Sequence, residues 1–433
     1  MLLLGFVWLV PAWWSPRLIA AMFLWDLLTV LAFAGDLIRL PAPGELELSR
    51  SWEHSASLAR ACNVTVGLRN FSKVGLLCFL TDETPASLRN APPAVELNVP
   101  GAASAKSFYP ILPRQRGDVK LGRLYIRYRS KWGLAEKWAR AEVSQTVRVL
   151  PDMEQARQHA LYLIRSRQVE MEKRRRRQRG QGREFESLRD YRLGDDIRDI
   201  CWTATARRRQ LTTRLFEVER SQAVWIVLDA GRLLRAEIQQ ENSTLRLSKL
   251  DYAVNAALSV AQVSSQCGDR VGLLVYGRSI QQNVAAGRGA LHLRTIVDCL
   301  SLVRGEASEA DHSRASRVLL TGQRRRSLVI WITDFAETPT TPEVIEYAMQ
   351  MTKRHLVVFA AMSQPDLRLL AESMPHAEDE MYRHIAAQEI IQRRDLLFRG
   401  LRQSGVFAFE LTPGLLASSL VNQYLDIKER NLL

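Results

Sequence analysis

The chain of 433 residues is long enough for two or three domains, and its hydrophobic fraction of 47% suits a globular protein with some membrane content. Lys and Arg outnumber Asp and Glu by 60 to 46, a formal net charge of +14 that favours an anionic partner, either nucleic acid or an acidic membrane face. Five cysteines without a C-x-x-C pair exclude a disulfide framework and indicate reduced thiols in a cytosolic compartment.

The N-terminal segment, residues 1–40, predicts a membrane anchor. Its first 34 residues contain only two charged side chains, Arg17 and Asp26, and Leu18–Leu40 reaches the roughly 20 apolar residues needed to cross a bilayer. Residues 1–14 are too short to cross alone, so the anchor is either one helix or a hairpin. Because no basic segment precedes the apolar run, a retained anchor is favoured over a signal peptide. The basic excess that follows places the soluble domains on the cytoplasmic side of the inner membrane.

Two segments separate this anchor from the rest of the chain. Residues 44–150 alternate between apolar and polar positions in short stretches, which predicts a small β-sandwich domain. Residues 151–183 predict a basic helical linker that ends in the charge run Lys173–Arg179. A solvated linker is the first interpretation of that run, and contact with anionic lipid headgroups is the second. No zinc-finger or RNP pattern supports specific nucleic-acid binding.

From about residue 221 apolar strands alternate with helices. This alternation predicts an α/β domain over residues 221–433, with a mostly parallel, Rossmann-type sheet covered by helices on both faces. In such sheets ligands bind beyond the carboxyl ends of the strands, near the switch in strand order. Asp229 and Asp334 each end a predicted strand, so both are expected to face that crevice.

A dense motif lies between the linker and the sheet, over residues 184–220. It follows the pattern G-x-E-F, L-R-x-Y, G-D-x-x-R-x-I-x-W and A-x-A-R through Gly182, Glu184, Phe185, Leu188, Arg189, Tyr191, Gly194, Asp195, Arg198, Ile200, Trp202, Ala204, Ala206 and Arg207. With the order of the domains, it resembles the membrane-anchored von Willebrand factor A-like family called "domain of unknown function 58", which is encoded beside MoxR-type AAA+ ATPases. The resemblance implies a von Willebrand factor A-like fold and an interaction with such an ATPase. The chain departs from the family pattern at Cys201, where a polar residue is usual.

The residues of this motif suggest two physical roles. Gly194 permits a tight turn, and Asp195 or Asp196 can cap a short helix. The expected apolar face of that helix consists of Ile197, Ile200 and Cys201, closed against the sheet by Trp202. The expected ion pairs join Arg189, Arg198 and Arg207 to Asp195, Asp196 and Asp199. One interpretation is a rigid brace between linker and sheet; the other is a docking surface for a partner protein, with Tyr191 among its residues.

The sequence after Asp229 departs from a metal-binding pattern. Functional von Willebrand factor A domains carry D-x-S-x-S here and bind Mg²⁺ or Mn²⁺ through oxygen ligands. In this chain Gly231 and Leu233 stand at the two serine positions, so neither offers a side-chain oxygen. The loop before the strand of Asp334, where those domains carry a threonine ligand, contains none.

Two interpretations remain of how the charges of Asp229 and Asp334 are compensated. Glu309 and Asp311 are additional acidic candidates, so two to four carboxylates would bind a cation through water and only weakly. Alternatively, Arg232 follows Asp229 in the same loop, and its guanidinium is expected to neutralise Asp229 or Asp334 in place of an ion.

Motifs of several enzyme classes are missing from the sequence. It contains no G-x-x-x-x-G-K-[ST], no G-x-S-x-G and no H-E-x-x-H. The favoured hypothesis is a non-enzymatic, membrane-anchored accessory protein whose α/β domain binds a MoxR-type AAA+ ATPase during assembly or remodelling of a complex. One alternative is a Mg²⁺- or Mn²⁺-dependent ligand-binding or adhesion domain built on Asp229 and Asp334. Another is a nucleic-acid-associated membrane protein that uses Lys173–Arg179.

Overall fold

A computed structural model describes most of the chain: residues 16–89, 91–152, 154, 184–192, 197–217, 222–239, 246–335, 341–430 and 432. The fold divides into two compact units, Met1–Leu150 and Pro151–Leu433. Several predictions fall outside the described residues, namely those on residues 1–14, Lys173–Arg179, Gly194, Asp195 and Asp196.

The first described element of this unit is a long apolar helix, α1 (Pro16–Arg39). Its segment Ile19–Arg39 has a mean hydropathy of 1.8, and no other helix in the described ranges is as suited by length and composition to cross a membrane. Only 6% of that segment is buried against protein. Its apolar side chains therefore lack the protein cover that a core helix has.

Antiparallel strands make up the rest of the first unit. They are β1 (Leu46–Trp52), β2 (Cys62–Asn70), β3 (Leu76–Asp82), β4 (Ala94–Val99), β5 (Ser104–Ile111), β6 (Gly117–Leu121), β7 (Leu124–Ser130), β8 (Glu136–Ala141) and β9 (Gln145–Val149). The sheets have the orders β1-β2-β5, β4-β3-β7-β8 and β6-β9. Side chains in β3 and β7 alternate between buried and less buried positions, because one face of their sheet packs on the core.

A buried ion pair joins two of these sheets. Arg50 of β1 binds both carboxylate oxygens of Asp82 in β3, at 2.9 and 2.5 Å. The hydroxyl of Tyr109 in β5 donates to the same carboxylate at 2.5 Å. Because the arginine and aspartate side chains are fully buried, the pair and its hydrogen bonds fix how the two sheets face each other.

The motif segment folds into a strand pair that encloses a short helix. Strands β10 (Glu184–Asp190) and β11 (Thr212–Glu217) are antiparallel, and α2 (Trp202–Arg208) follows a 3₁₀ turn at Ile197–Asp199. The backbone N–H of Cys201 donates to the carbonyl of Thr212, which ties the start of the helix to the second strand. The helix expected after Asp195 or Asp196 is limited to the 3₁₀ turn at Ile197–Asp199, and α2 begins only at Trp202. The two strands were not predicted.

The second unit contains a six-stranded sheet. Its strands are β12 (Ala223–Asp229), β15 (Arg270–Tyr276), β16 (Ile280–Gly287), β17 (Leu328–Thr333), β18 (Leu356–Met362) and β19 (Phe407–Leu411), and a separate small pair is formed by β13 (Glu237–Gln239) and β14 (Arg246–Ser248). The helices are α3 (Lys249–Gln266), α4 (Ala290–Ser301), α5 (His312–Gly322), α6 (Thr341–Thr352), α7 (Pro365–Glu372), α8 (Glu378–Gln403) and α9 (Leu416–Glu429). The prediction of a mostly parallel sheet in a mixed α/β fold is confirmed.

The order of the strands is β16-β15-β12-β17-β18-β19. All neighbours are parallel except β15 and β16. Strand β16 lies at the edge of the sheet and was not among the predicted strands. The strand order reverses between β12 and β17, because the chain builds outward on one side of β12 and then on the other. A crevice at the carboxyl ends of these two strands is the expected ligand position in such sheets. Asp229 ends β12 and Asp334 follows β17.

Candidate functional site

Asp229 is buried at the carboxyl end of β12, with only 3% of its surface exposed. Its Oδ1 accepts the backbone N–H of Gly231 at 2.7 Å, and its Oδ2 accepts the hydroxyl of Thr333 at 2.6 Å. The parallel pairing of β12 with β17 places these side chains next to each other. Burial raises the pKa of the Asp229 carboxyl, although the nearby imidazole of His312 and the two hydrogen bonds act in the opposite direction.

Asp334 lies between two cationic side chains. Lys249 Nζ contacts its Oδ2 at 2.5 Å, and Arg394 Nη1 contacts its Oδ1 at 3.0 Å. The backbone N–H of Phe335 also donates to Oδ1, at 2.8 Å. The carboxylate is fully buried and both cations are nearly so, so each of these charges has an oppositely charged partner away from solvent.

Lys249 is the first residue of α3, and a capping box holds it there. The Ser248 hydroxyl accepts the backbone N–H of Asp251, while the Asp251 carboxylate accepts the backbone N–H of Ser248. A lysine in the first helical turn is opposed by the helix dipole. It is stable here because Asp334 lies against its ammonium group. The sequence S-K-L-D carries the signal for this capping box, although Lys249 was not among the predicted site residues.

Arg394 of α8 extends the network to two more strands. Its Nη2 donates to the carbonyl of Met362 at the end of β18, at 2.8 Å, and to Oε1 of Glu410 in β19, at 3.0 Å. Its Nη1 also donates to the carbonyl of Phe335. One guanidinium therefore links the carboxyl ends of β17, β18 and β19. Nothing in the local sequence distinguishes Arg394 from the other arginines of α8.

The expectation that Arg232 neutralises one of the aspartates is wrong. Its guanidinium pairs with Oε1 of Glu309 at 3.1 Å, and the two side chains are 48% and 49% exposed. The backbone N–H of Arg232 donates to the carbonyl of Ser308, which ties its loop to the loop of Glu309. Asp311, the other acidic candidate, caps the start of α5 by accepting the backbone N–H of Arg314. Lys249 and Arg394 hold the position that was expected for Arg232.

A buried aromatic cluster lies beside Asp229. The hydroxyl of Tyr276 is 2.8 Å from Nδ1 of His312 and accepts the indole N–H of Trp331 at 2.6 Å. Burial lowers the pKa of His312, while the charge of Asp229 raises it. The same desolvation raises the pKa of Tyr276 well above its ordinary value. The ring of Tyr276 meets that of Trp331 edge-on, and Trp331 contacts Phe359, so the cluster continues into the hydrophobic core.

The residues around the two aspartates do not fit a divalent metal ion. Both oxygens of Asp229 already accept hydrogen bonds, and both oxygens of Asp334 contact cations. Serine at position 231 would place its Cβ 3.0 Å from the backbone nitrogen of Ala310, so the loop would have to shift by a few tenths of an ångström to admit the missing ligand. Among the described residues no group of three or more His, Cys, Asp or Glu side chains is arranged to hold a metal ion.

Replacing Asp229 with Asn tests the burial of this carboxyl. Because its pKa is raised above the ordinary 3.8, the folded protein keeps a proton that the unfolded chain has lost, and stability falls as pH rises through that window. We expect Asp229→Asn to gain stability relative to the native chain as the pH rises above about 4, the ordinary pKa of an aspartate. Urea unfolding of the full chain in detergent across this rise in pH measures the difference. A difference that does not change with pH would contradict the expected sign.

The motif residues occupy the strand pair and its helix. Arg189 lies in β10, Tyr191 directly after it, Arg198 in the 3₁₀ turn and Arg207 in α2. Ile200 and Cys201 are buried as predicted, but Ile197 and Trp202 are exposed, the latter by 63%. The expectation that Trp202 closes an apolar face against the sheet is therefore wrong. The chain bends between the 3₁₀ turn and α2, so these residues do not share one helical face.

Helices α7 and α8 and the chain between them carry an exposed apolar surface that no pattern in the sequence had indicated. We call it the α7–α8 surface, and it comprises Leu369, Leu370, Met374, Met381, Tyr382 and Ile385. Met374, between the helices, is 83% exposed. Three acidic residues form the first turn of α8 at its border: Glu378, Asp379 and Glu380. A narrow cleft lies between the same two helices, and Arg394 and Glu410 are among its lining residues.

Comparison with known proteins relates the middle of the chain to an uncharacterised family. Residues 187–377 match the family described as "Protein of unknown function DUF58". The DUF58 match includes Asp229, Lys249 and Asp334 but ends before Arg394. The uncharacterized proteins Mb1516 of Mycobacterium bovis and Rv1480 of Mycobacterium tuberculosis are each 28% identical over 158 residues, which is 36% of this chain. That alignment covers 48% of each relative, so the chain spans about half the length of the curated relatives it matches.

Two solved structures show weak similarity. A PapD-like domain of human CEP192 is 10% identical with a TM-score of 0.19, over 26% of this chain and 90% of that domain. An uncharacterized membrane spanning protein from Vibrio fischeri is 12% identical with a TM-score of 0.20, over 47% of this chain and 98% of that protein.

Proposed function

We propose that this chain is a non-enzymatic, membrane-anchored accessory protein whose α/β unit binds a partner protein. The partner is a MoxR-type AAA+ ATPase, and the pair assembles or remodels another complex. Helix α1 is the anchor in the inner membrane, and the folded units lie in the cytoplasm. The observation that carries the proposal is the exposed α7–α8 surface, adjacent to strand ends that are closed by buried ion pairs.

The proposal includes a von Willebrand factor A-like fold for the six-stranded sheet. Three observations support it: the strand order that reverses beside β12, the antiparallel edge strand β16, and the two aspartates at the strand ends. In this chain the position of a metal ion is taken by the ammonium of Lys249 and the guanidinium of Arg394. Because the charges at this edge of the sheet are already paired within the protein, the edge is better suited to support a protein interface than to bind a ligand through a metal ion.

The composition of the α7–α8 surface supports a protein as the ligand. Apolar patches rimmed by charged residues mark protein interaction sites, and Met and Tyr are enriched at the centres of such interfaces. Residues 365–390 contain six acidic residues and two basic ones, a difference of −4. The rim therefore favours a partner that presents basic residues around an apolar centre.

The test is a pull-down with the full chain in detergent. We expect the MoxR-type ATPase from the same genome, loaded with a non-hydrolysable ATP analogue, to be recovered at low salt. Raised salt should weaken recovery, because the acidic rim contributes electrostatic attraction. If no ATPase is recovered with the ATP analogue or without nucleotide, the proposed partner is wrong.

Calorimetry with Mg²⁺ and Mn²⁺ separates this proposal from metal-dependent ligand binding. We expect no saturable binding heat at millimolar metal, because the positive charges of Lys249 and Arg394 repel a further cation beside Asp334. The comparison is the Asp229→Asn variant, which should give the same titration. Saturable binding by the native chain that is lost in the variant would support the metal-dependent alternative.

A further inference from the structure

The buried carboxylate of Asp36 ties helix α1 to the turn between β7 and β8. The Ser130 hydroxyl donates to Oδ1 of Asp36 at 2.5 Å. The backbone N–H groups of Leu134 and Ala135 donate to Oδ2 at 3.1 and 2.9 Å. Asp36 is 1% exposed, so the turn over residues 130–135 packs directly on the last part of the helix. We call this segment the β7–β8 turn.

Both strands that flank the β7–β8 turn also bind the chain just after the helix. The ammonium of Lys137 in β8 donates to the carbonyl of Leu40 at 2.7 Å. The hydroxyl of Tyr128 in β7 donates to the carbonyl of Pro41 at 2.9 Å. Three hydrogen bonds join the turn to Asp36, and two more join its flanking strands to the backbone that follows the helix. The position of the turn along the membrane normal is therefore set by the position of the helix.

This attachment sets the level of the β7–β8 turn relative to the apolar segment. Asp36 lies three residues before Arg39, where the segment Ile19–Arg39 ends. At about 1.5 Å per residue, that is about 4.5 Å inside the end of the helix. If α1 crosses a bilayer, the turn is level with its final helical turn. That level is the headgroup layer, between the hydrocarbon and the water.

The exposed side chains of the β7–β8 turn suit this layer. Trp132 is 61% exposed, and the guanidinium of Arg39 lies 4.7 Å from the centre of its ring. Lys131 is exposed beside it. Tryptophan is enriched at membrane interfaces, and Lys and Arg at helix ends place their charges among the headgroups.

The contacts of Asp36 give a second reason to place the β7–β8 turn at the membrane interface. An ionised carboxylate near the hydrocarbon is costly unless protein groups solvate it. Here one hydroxyl and two backbone N–H groups do so. The β7–β8 turn must therefore accompany this part of the helix into the interface, because withdrawing it would expose the carboxylate to lipid.

We infer that the β7–β8 turn is a second membrane contact of this chain. The indole of Trp132 lies among the headgroups, and Arg39 and Lys131 bind the phosphates of phospholipids. This inference rests on the proposed anchoring role of α1. It adds a surface on the β-strand unit that faces the membrane and restricts how that unit tilts relative to the bilayer.

Short-range quenching of tryptophan fluorescence by brominated lipids tests the inference. The full chain is reconstituted into phosphatidylcholine vesicles brominated either near the glycerol backbone or near the bilayer centre. The emission of each residue is the difference between the native chain and its Trp→Phe variant: Trp132→Phe, Trp138→Phe and Trp25→Phe. Trp138 is the matched control, since it is also exposed but lies on β8 roughly 10 Å along the strand from the turn.

We expect lipids brominated near the glycerol backbone to quench Trp132 at least twofold more than Trp138, while centrally brominated lipids quench Trp25. Asp36→Asn should reduce the quenching of Trp132, because the turn loses its attachment. If Trp25 is quenched but Trp132 is not, or if Trp132 and Trp138 are quenched equally, the inference is overturned and the anchor stands. If Trp25 is not quenched by either lipid, the anchor itself is wrong, and the inference fails with it.

Discussion

Replacing Lys249 with Met is expected to lower the free energy of unfolding of the second unit by about 3–5 kcal/mol, the usual cost of removing one partner from a buried ion pair. The native network contains two buried cations, Lys249 and Arg394, and two carboxylates, Asp334 and Glu410. Glu410 also pairs with Arg368, whose side chain is mostly exposed. Lys249→Met leaves a buried excess of negative charge. Urea unfolding of the full chain in detergent, followed by near-UV circular dichroism, measures the loss.

Two further variants make this prediction specific. Arg232→Met removes a cation from the same end of the sheet, but its pair with Glu309 is half exposed, so the expected cost is about 0–1 kcal/mol. Adding Asp334→Asn to Lys249→Met restores the charge balance with Arg394 and Glu410, and we expect it to recover part of the lost stability. Equal costs for Lys249→Met and Arg232→Met would show that the buried network does not stabilise the strand ends.

The second large effect is expected at the α7–α8 surface. Replacing Met374 and Tyr382 together with Ser should weaken binding of the MoxR-type ATPase by about 30-fold or more, since residues at the centre of an interface contribute about 2 kcal/mol or more. Both side chains are mostly exposed, so the stability of the chain should change little. Titration of the detergent-solubilised full chain with the ATPase measures the affinity.

Leu291→Ser provides the matched control for this surface. Leu291 is an exposed apolar residue of α4, and its replacement should leave the affinity unchanged. Reduced binding in both variants would indicate a general loss of solubility or folding. Unchanged binding in the Met374/Tyr382 variant would place the ATPase elsewhere, for instance on the motif segment.

The position of the candidate site could be predicted from the sequence, but its contacts could not. Asp229 and Asp334 each follow an apolar run, and parallel strands bring their carboxyl ends to one edge of the sheet. The partners of Asp334 are 85 and 60 residues away in sequence, in the first turn of α3 and the middle of α8. No local pattern relates such distant residues, because only the packing of helices against the sheet brings them together.

Arg232 shows that closeness in sequence does not predict a contact either. It is near Asp229 in sequence, which made it the expected partner, but the loop directs it toward Glu309. A three-residue separation limits how far apart two side chains lie and leaves their directions open. The backbone hydrogen bond from Arg232 to Ser308 decides that direction, and it depends on a second loop from a distant part of the chain.

By itself the sequence determined the properties that depend on period and composition: the apolar N-terminal helix, the mixed α/β class, the mostly parallel sheet and the two acids at the ends of its strands. These follow from neighbours along the chain, since burial on one or both faces of an element imposes a repeat. Tertiary structure alone decided which cations neutralise Asp334, that Met374 and Tyr382 are left exposed, and that Asp36 is solvated by the β7–β8 turn. Each of these depends on the distance and direction between elements, which folding sets and which a repeat in the sequence does not encode.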